Sequence, residues 1–240
     1  METREIQNAL KRHGFDPGPV DGVMGPKTRK AIIAFKAKHG LRQRPFVGPV
    51  TRKLLMDEAT APAMIKPLVD LPWMRIALGY LGMAEIKGSN HNPKIVKWWD
   101  QLGLPFDDDE TPWCAAFVNG VMMEAGLMPP PKYRAAARGW DWTGFGDEIS
   151  EPVYGCIATF SRGKPNSGQG HIAFVAGRDQ AGNLMCLGGN QGNEVSIRPF
   201  STGRLLSYRL PLSMNVYRRE LLVGDLPIID SDGVLSTNEA

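Results

Sequence analysis

Cysteine is scarce in this 240-residue chain: there are three, at positions 114, 156 and 186. An odd count without paired spacing excludes a disulfide framework and leaves at least one thiol free. Long apolar runs are also missing. None approaches the roughly 20 residues a membrane helix needs, and Met1-Glu2-Thr3-Arg4-Glu5 lacks the apolar stretch of a secretion signal. The sequence therefore predicts a chain made in a cytosol and not inserted in a membrane. No His/Cys spacing resembles a zinc ligand set, so neither metal nor other cofactor is expected. Aromatic residues are present in number, with 9 Phe, 6 Trp and 5 Tyr, enough for hydrophobic cores and against full disorder. The 27 Gly and 19 Pro follow no period, which excludes collagen-like structure and suits loop-rich globular domains.

Charge divides the chain. Residues 1–57 hold 12 Lys/Arg against 5 Asp/Glu, or +7, and the remainder holds 16 against 20, or −4, giving the overall +3. Two units with different partners are implied, the first suited to some polyanion. Three prolines and small residues between Glu58 and Pro72 favour an extended tether. The expected division is a first domain over 1–57, a linker over 58–71, a second domain over 72–212 and a tail over 213–240, which either pads the second domain or stays mobile.

In the first domain Ile6, Ala9 and Leu10 share a helical face that His13-Gly14 ends, predicting a helix from about Glu2 to His13. A turn-dense loop follows. Pro26 then opens a second helix carrying Ala31, Ile32, Ala34 and Phe35, and a third follows Gly48-Pro49. Gly25-Pro26-Lys27-Thr28-Arg29-Lys30 and Gly48-Pro49-Val50-Thr51-Arg52-Lys53 match at five of six positions, a repeated turn-plus-helix-start device.

The stretch Asp21-Gly22-Val23-Met24-Gly25-Pro26-Lys27-Thr28, with the helix before it and Ala31 and Phe35 after it, resembles the peptidoglycan-binding domain of cell-wall hydrolases, over residues 4–56. The resemblance implies a three-helix fold gripping wall polymer beside this loop, with Asp21, Gly22, Gly25 and Thr28 as the motif's substrate-binding positions. The same residues also have a structural reading: Gly22 and Gly25 for backbone geometry, Asp21 and Thr28 for turn or helix-start hydrogen bonds.

In the second domain residues 73–104 read as helices, with Trp73, Ile76, Ala77 and Tyr80 on one face and Ile95, Val96, Trp98 and Trp99 as a bulky cluster. Thr111 is then placed to cap a helix, with Pro112 at its first position and Cys114 in its first turn. Apolar residues at 114, 117, 118, 121, 122 and 125 continue the stripe to Gly126. The positive end of this helix would face the Cys114 sulfur and favour its thiolate, the nucleophilic form; the plain alternative is a small buried helix residue. From Pro152 the pattern turns to strands over Val153–Phe160, His171–Gly177 and Asn183–Leu187, the last running into Gly188-Gly189-Asn190-Gln191. Short connections predict an antiparallel sheet with the Cys114 helix packed against it.

A cysteine at a helix start, a histidine opening a strand and an amide at the end of the neighbouring strand form a nucleophile, a base and an orienter. The segments Thr111-Pro112-Trp113-Cys114-Ala115-Ala116-Phe117-Val118, Gly170-His171-Ile172-Ala173-Phe174-Val175 and Leu187-Gly188-Gly189-Asn190-Gln191 resemble the papain-like cell-wall cysteine hydrolases, the NlpC-type peptidases and the CHAP amidases. That resemblance implies an α+β fold of helices on an antiparallel sheet, Cys114 as nucleophile, His171 as base and then acid, and Asn190 as the residue orienting the imidazole, with Gln191 as the fallback. Cys156 and Cys186 lie in apolar strand patterns and read as packing. The acidic run Asp107–Glu110 could hold calcium, as in some CHAP relatives, but lacks the alternating oxygen spacing of an EF-hand; a solvated loop suiting the helix dipole is the favoured reading.

Together these readings predict a monomeric peptidoglycan hydrolase cutting an amide in the stem peptide or at its junction with the sugar. With no secretion signal, release to the wall through holin pores, as in phage endolysins, is the expected route. An exported toxin and a catalytically dead wall-binding or virion protein are the alternatives. A nucleic-acid partner is not expected, since the basic segment carries no recognition-helix or aromatic RNA-binding signature.

Overall fold

The computed structural model describes residues 2–39, 41, 43–56, 70–164, 167–211, 226–229, 231 and 235–237. The chain forms two compact units, Met1–Lys66 and Pro67–Ala240. The predicted tether falls almost wholly on residues 57–69, outside the described ones.

Unit 1 is three short helices: α1 (Thr3–Arg12), α2 (Pro26–Lys38) and α3 (Pro49–Met56). Ile6, Ala9 and Leu10 of α1 pack against Ala31, Ile32 and Phe35 of α2 and Leu55 of α3. Glu2 and Glu5 form a capping box at the start of α1, and Pro26 opens α2, whose first turn has no use for its missing N–H. His13 does more than end a helix. Its Nε2 lies 3.1 Å from the Leu55 carbonyl oxygen and its ring meets Phe35 edge-on at 5.0 Å, tying the end of α1 to α3.

Unit 2 is α+β. Helices α4 (Pro72–Gly79), α5 (Pro93–Gln101), α6 (Cys114–Glu124) and the single turn α7 (Gly139–Thr143) precede the strands β1 (Asp147–Ile149), β2 (Ile157–Ser161), β3 (Gly170–Arg178), β4 (Leu184–Gly188), β5 (Ser196–Phe200) and β6 (Leu205–Leu210). The strands make one antiparallel sheet in the order β1-β6-β2-β3-β4-β5. Three of these strands, β1, β5 and β6, go beyond the sequence reading, and the helices expected over 73–104 are α4 and α5, separated by a loop.

Helix α6 is buried around its whole circumference, from Cys114 to Met122, with Asn119 its one polar side chain there. Phe117 meets Phe174 of β3, and α5 crosses at Gly120, where an added Cβ would stand 2.2 Å from the Trp98 ring. The rim of this packing is polar: Trp98 Nε1, Tyr80 Oη and Lys94 Nζ all converge on the Glu124 carboxylate, each at 2.7 Å.

The described part of the tail is docked on the sheet. At Arg178 strand β3 has outrun β2, and residues 227–229 take up the vacant side: Arg178 N–H donates to Pro227 O and Ile229 N–H to Arg178 O. Gly177 permits this, since a Cβ there would lie 2.3 Å from Pro227 O. Ser236 N–H donates to Pro199 O on the edge strand β5.

Gly120→Ala is expected to lower the stability of unit 2 by about 1–3 kcal/mol, the cost of an overpacked core methyl. Urea unfolding followed by tryptophan emission checks it, because all six Trp lie in this unit.

Candidate functional site

The three segments singled out in the sequence meet where the start of α6 lies against β3 and the end of β4. Helix α6 begins later than predicted. Thr111 is not its cap, because Thr111 N–H and Oγ1 are both taken by the Asp108 carboxylate; the cap position is Trp113 and Cys114 is the first helical residue. Phe117 N–H donates to Trp113 O, so the N–H groups of residues 114–116 are the ones a helix start leaves without intrahelical partners.

The Cys114 sulfur is buried. Burial pushes its thiol up to about 11, against the pull of the Ile172 and Ala115 N–H groups and the positive charge of Arg162. The expectation of a readily ionised thiol is thus corrected: desolvation outweighs the helix start, and the sulfur rests as a thiol until a base takes its proton. Burial acts harder on the other two cysteines, pushing Cys156 up to about 12 and Cys186 well above its ordinary value. The backbone contact from Ile172 places the sulfur beside the start of β3, next in sequence to His171.

His171 is fully buried. Its ring lies parallel to Phe200 at 5.2 Å between centroids, and Phe200 stacks in turn on Phe160 at 4.7 Å. His171 Nε2 is 3.0 Å from Gln191 Oε1. The amide that meets the imidazole is therefore Gln191 and not the expected Asn190. Gln191 is fixed end for end, because its Nε2 donates to Ser196 O at 2.7 Å and to Cys186 O at 3.4 Å. Only Oε1 is left to face the imidazole, so His171 Nε2 carries the hydrogen and Nδ1 carries the lone pair.

Asn190 is turned elsewhere. With its amide set to satisfy both neighbours, Nδ2 donates to Glu85 Oε1 at 3.2 Å and Oδ1 accepts the Trp113 N–H at 3.3 Å. It acts as a cap supplied from another segment at the helix start that bears Cys114. Its backbone is left-handed, φ 56°, a conformation asparagine tolerates better than other side-chain-bearing residues. The two preceding glycines explain why two neighbouring amides reach different targets. A Cβ on Gly188 would stand 2.6 Å from Gln191 Oε1 and 3.0 Å from His171 Nε2, and one on Gly189 would stand 2.5 Å from the Trp113 ring.

Glu85 escaped the sequence reading, and Asp109 entered it only as part of the acidic run. Glu85 Oε1 accepts from Trp113 Nε1 at 2.8 Å, and burial, with Asp109 and Glu110 nearby, raises its carboxyl above the ordinary range. Asp109 is 0% exposed, so the acidic run is not simply a solvated loop. Its carboxylate accepts Ile86 N–H and Asn92 N–H, both at 2.8 Å, and faces His91 Nδ1 at 2.9 Å. With Asp108 held by Thr111 as well, the run does not fit a calcium site. Among the described residues no cluster of three or more His, Cys, Asp or Glu is placed to hold a metal.

In unit 1 the loop motif is organised by Gln7. Its Nε2 donates to Asp21 Oδ1 at 2.9 Å, Val23 O at 3.0 Å and Thr28 Oγ1 at 3.2 Å, and its Oε1 accepts Gly22 N–H at 2.9 Å. The Gln7 bond, with the Val23 N–H, holds the Asp21 carboxyl below its ordinary value. Thr28 is buried and donates to Pro17 O at 2.8 Å, which removes it from contact with a ligand. Gly22 has φ 83° and needs to be glycine; Gly25, with φ −76°, has ordinary extended backbone as the cap of α2. A glutamine on an otherwise apolar helix face is the signal that would have pointed to this network.

Two family descriptions match the chain: "Putative peptidoglycan binding domain" over residues 2–55 and "CHAP domain" over residues 106–190. No curated protein matches it. The first match lies on the three helices of unit 1, and the second runs from the acidic loop through Cys114 and His171 to Asn190.

The His91–Asp109 pair makes the stability of unit 2 pH-dependent. The Asp109 hydrogen bond raises His91 above 6.5 despite some desolvation, so its contribution is complete below about pH 6.5 and is lost as pH rises through the higher folded value. Burial of Asp109 opposes ionisation, but the Ile86 and Asn92 N–H groups and His91 prevail and lower its carboxyl below 3.8; that contribution is complete above 3.8 and is lost as pH falls through the lower folded value. His91→Gln should flatten the neutral-to-alkaline limb of the urea midpoint against pH and spare the acid limb. An alkaline limb that persists in the variant would assign it to other groups.

Proposed function

We propose that the chain, a peptidoglycan-binding domain followed by a CHAP domain, is a peptidoglycan hydrolase that cuts an amide bond by a Cys114–His171 thiol mechanism, with Gln191 orienting the base. The observation that carries the reading is the 3.0 Å contact between His171 Nε2 and Gln191 Oε1, from which the tautomer of His171 follows. A buried thiol with its pKa near 11 is inert without a base, and the Gln191 contact leaves the Nδ1 lone pair of a neighbouring strand residue for that task.

In this mechanism Nδ1 takes the Cys114 proton as the sulfur attacks the amide carbonyl carbon. The tetrahedral oxyanion is met by N–H groups at the start of α6, with Cys114 N–H the nearest in sequence. Collapse breaks the C–N bond, the imidazolium passes its proton to the departing amine, and a thioester remains. Water then gives its proton to Nδ1 and attacks the thioester carbon, releasing a carboxylic acid and restoring the thiol. Throughout, Gln191 Oε1 holds the Nε2–H and steadies the imidazolium that appears in both halves of the reaction.

Unit 1, with its excess of 12 basic over 5 acidic residues across positions 1–57, would keep the enzyme on the acidic wall polymer and raise the local substrate concentration. The two-part layout suits an endolysin working on the wall in the periplasm, and bacteriophage lysis is the role we assign it.

Incubated with isolated peptidoglycan, the protein is expected to release fragments with new amino and carboxyl termini, identified by mass spectrometry. Cys114→Ala should release none while still sedimenting with sacculi; a folded, active Cys114→Ala would sink the mechanism. Iodoacetamide should label Cys114 ahead of Cys156 and Cys186, as peptide mapping would reveal. Gln191→Ala should lower kcat by about 100-fold, within the range for a general base that has lost its orientation, and should alter the pH profile of kcat. Asn190→Ala, acting only through the helix start, should leave that profile in place. The opposite pattern would return the orienting role to Asn190.

A further inference from the structure

Of the six tryptophans, five are buried at 2% exposure or less and Trp142 stands 47% exposed. It is not isolated. Tyr133, 59% exposed, meets it edge to face at 5.6 Å, and the Arg138 guanidinium lies 5.7 Å from its ring centroid, with an ion pair to Asp141 at 3.4 Å. We propose that Tyr133, Arg138 and Trp142 form a saccharide subsite of unit 2, taking a sugar of the glycan strand beside the Cys114–His171 pair. The proposal rests on the peptidoglycan reading and extends it to the part of the polymer this unit grips.

Three observations support it. The first is rigidity. Buried Asn119, on the same helix as Cys114, donates Nδ2 to Arg134 O at 2.8 Å and accepts Trp140 Nε1 at 2.9 Å, fastening both ends of the 134–140 segment to the catalytic helix. The second is backbone strain. Tyr133 has φ 56°, unfavourable for an aromatic residue, and it is held there by contact with Gly139, where an added Cβ would stand 2.4 Å from Tyr133 O. A costly conformation that sets a ring outward into solvent is poor economy for packing and good geometry for a platform.

The third is position. The Arg138 side chain lies against Gly170, whose added Cβ would be 3.0 Å from Arg138 Cγ, and a Cβ added at Gly168 would be 3.9 Å from the Trp142 ring. Gly168 lies just before β3, and Gly170 opens that strand next to His171. The chemistry of the polymer selects the occupant. Stem peptides are short and built of small and charged residues, with no large apolar surface to cover an indole. The C–H face of a pyranose ring is the extended apolar plane that peptidoglycan offers, and ring-on-ring contact to Trp and Tyr is how exposed aromatic side chains hold a flat amphipathic partner. A sugar held there would place the sugar-to-peptide junction nearer the thiol than the far end of the stem.

Unit 1 contains no tryptophan, so indole signals report on unit 2 alone even in the full chain. Full-length Cys114→Ala protein is titrated with peptide-free glycan strands, and separately with free stem peptide, while the indole N–H resonances are followed by NMR. Trp142 is assigned from the signal missing in Trp142→Phe. The expected result is a saturable shift of Trp142 with the glycan, small or no shifts of the five buried indoles, and about tenfold weaker binding in Tyr133→Ala, the scale of a lost aromatic contact. The five buried indole signals, present in both variants, confirm that each is folded. No Trp142 shift with glycan, or a shift with stem peptide instead, overturns the proposal. Its failure is separable from failure of the hydrolase reading. Wild-type protein that releases fragments while Trp142 stays silent loses only the subsite; a Trp142 shift without fragment release loses only the hydrolase.

Discussion

The Gln191 carboxamide joins two requirements that neither neighbour meets alone. On its nitrogen side lie the carbonyls of Cys186 and Ser196, and on its oxygen side lies one imidazole. A carboxamide cannot be turned around in such a setting without facing oxygen with oxygen, so the strand carbonyls dictate which His171 nitrogen holds hydrogen. The rest of the site depends on giving that contact room. Gly188 leaves space under it, Gly189 lets the end of β4 approach Trp113 and Phe117, and Phe200 lies flat on the imidazole. Sheet, helix start and tautomer are aspects of one packing arrangement.

Much of this was legible in the sequence, and the part that was not has physical causes. The helices of unit 1 carry apolar residues at helical spacing and Gly-Pro starts, signals that depend on local chain geometry alone. Strand β5 did not show itself because Pro199 sits inside it, which is tolerable only on a sheet edge, and edge status is a property of the assembled sheet. Strand β1 has three residues, too few for any period. Cys114 and His171 stand out in the sequence by their positions at element starts, and the structure places both there. The choice between adjacent Asn190 and Gln191 was not decidable that way, since it turns on one methylene of reach and on the left-handed backbone at Asn190. The weak acidity of Cys114 is hidden from the sequence for a similar reason. A helix start is visible in sequence, whereas the enclosure of α6 by α5 and the sheet, which costs the thiolate its water, is not.

Buried polar side chains recur as organisers in both units. Gln7 gathers the 17–28 loop, Asp109 gathers the 86–92 loop, and Asn119 gathers the 134–140 segment. Each satisfies backbone groups that irregular segments cannot satisfy among themselves. Loops bearing functional groups are thereby given the definition that regular elements obtain from their own ladders. The motif positions Asp21, Gly22 and Thr28 take their hydrogen bonds within such a network, which accounts for their residue types without requiring contact with polymer.

The docking of residues 227–229 beside β3 and of Ser236 on β5 bears on how such a molecule can be recombined. The natural seam for exchanging unit 2 is the end of the last strand, near residue 211. Here that cut would bare the backbone of Arg178 and the edge at Pro199, two unpaired stretches able to recruit strands from another molecule. The transferable module is therefore longer than its sheet, and the segment beyond the last strand travels with it as its cover.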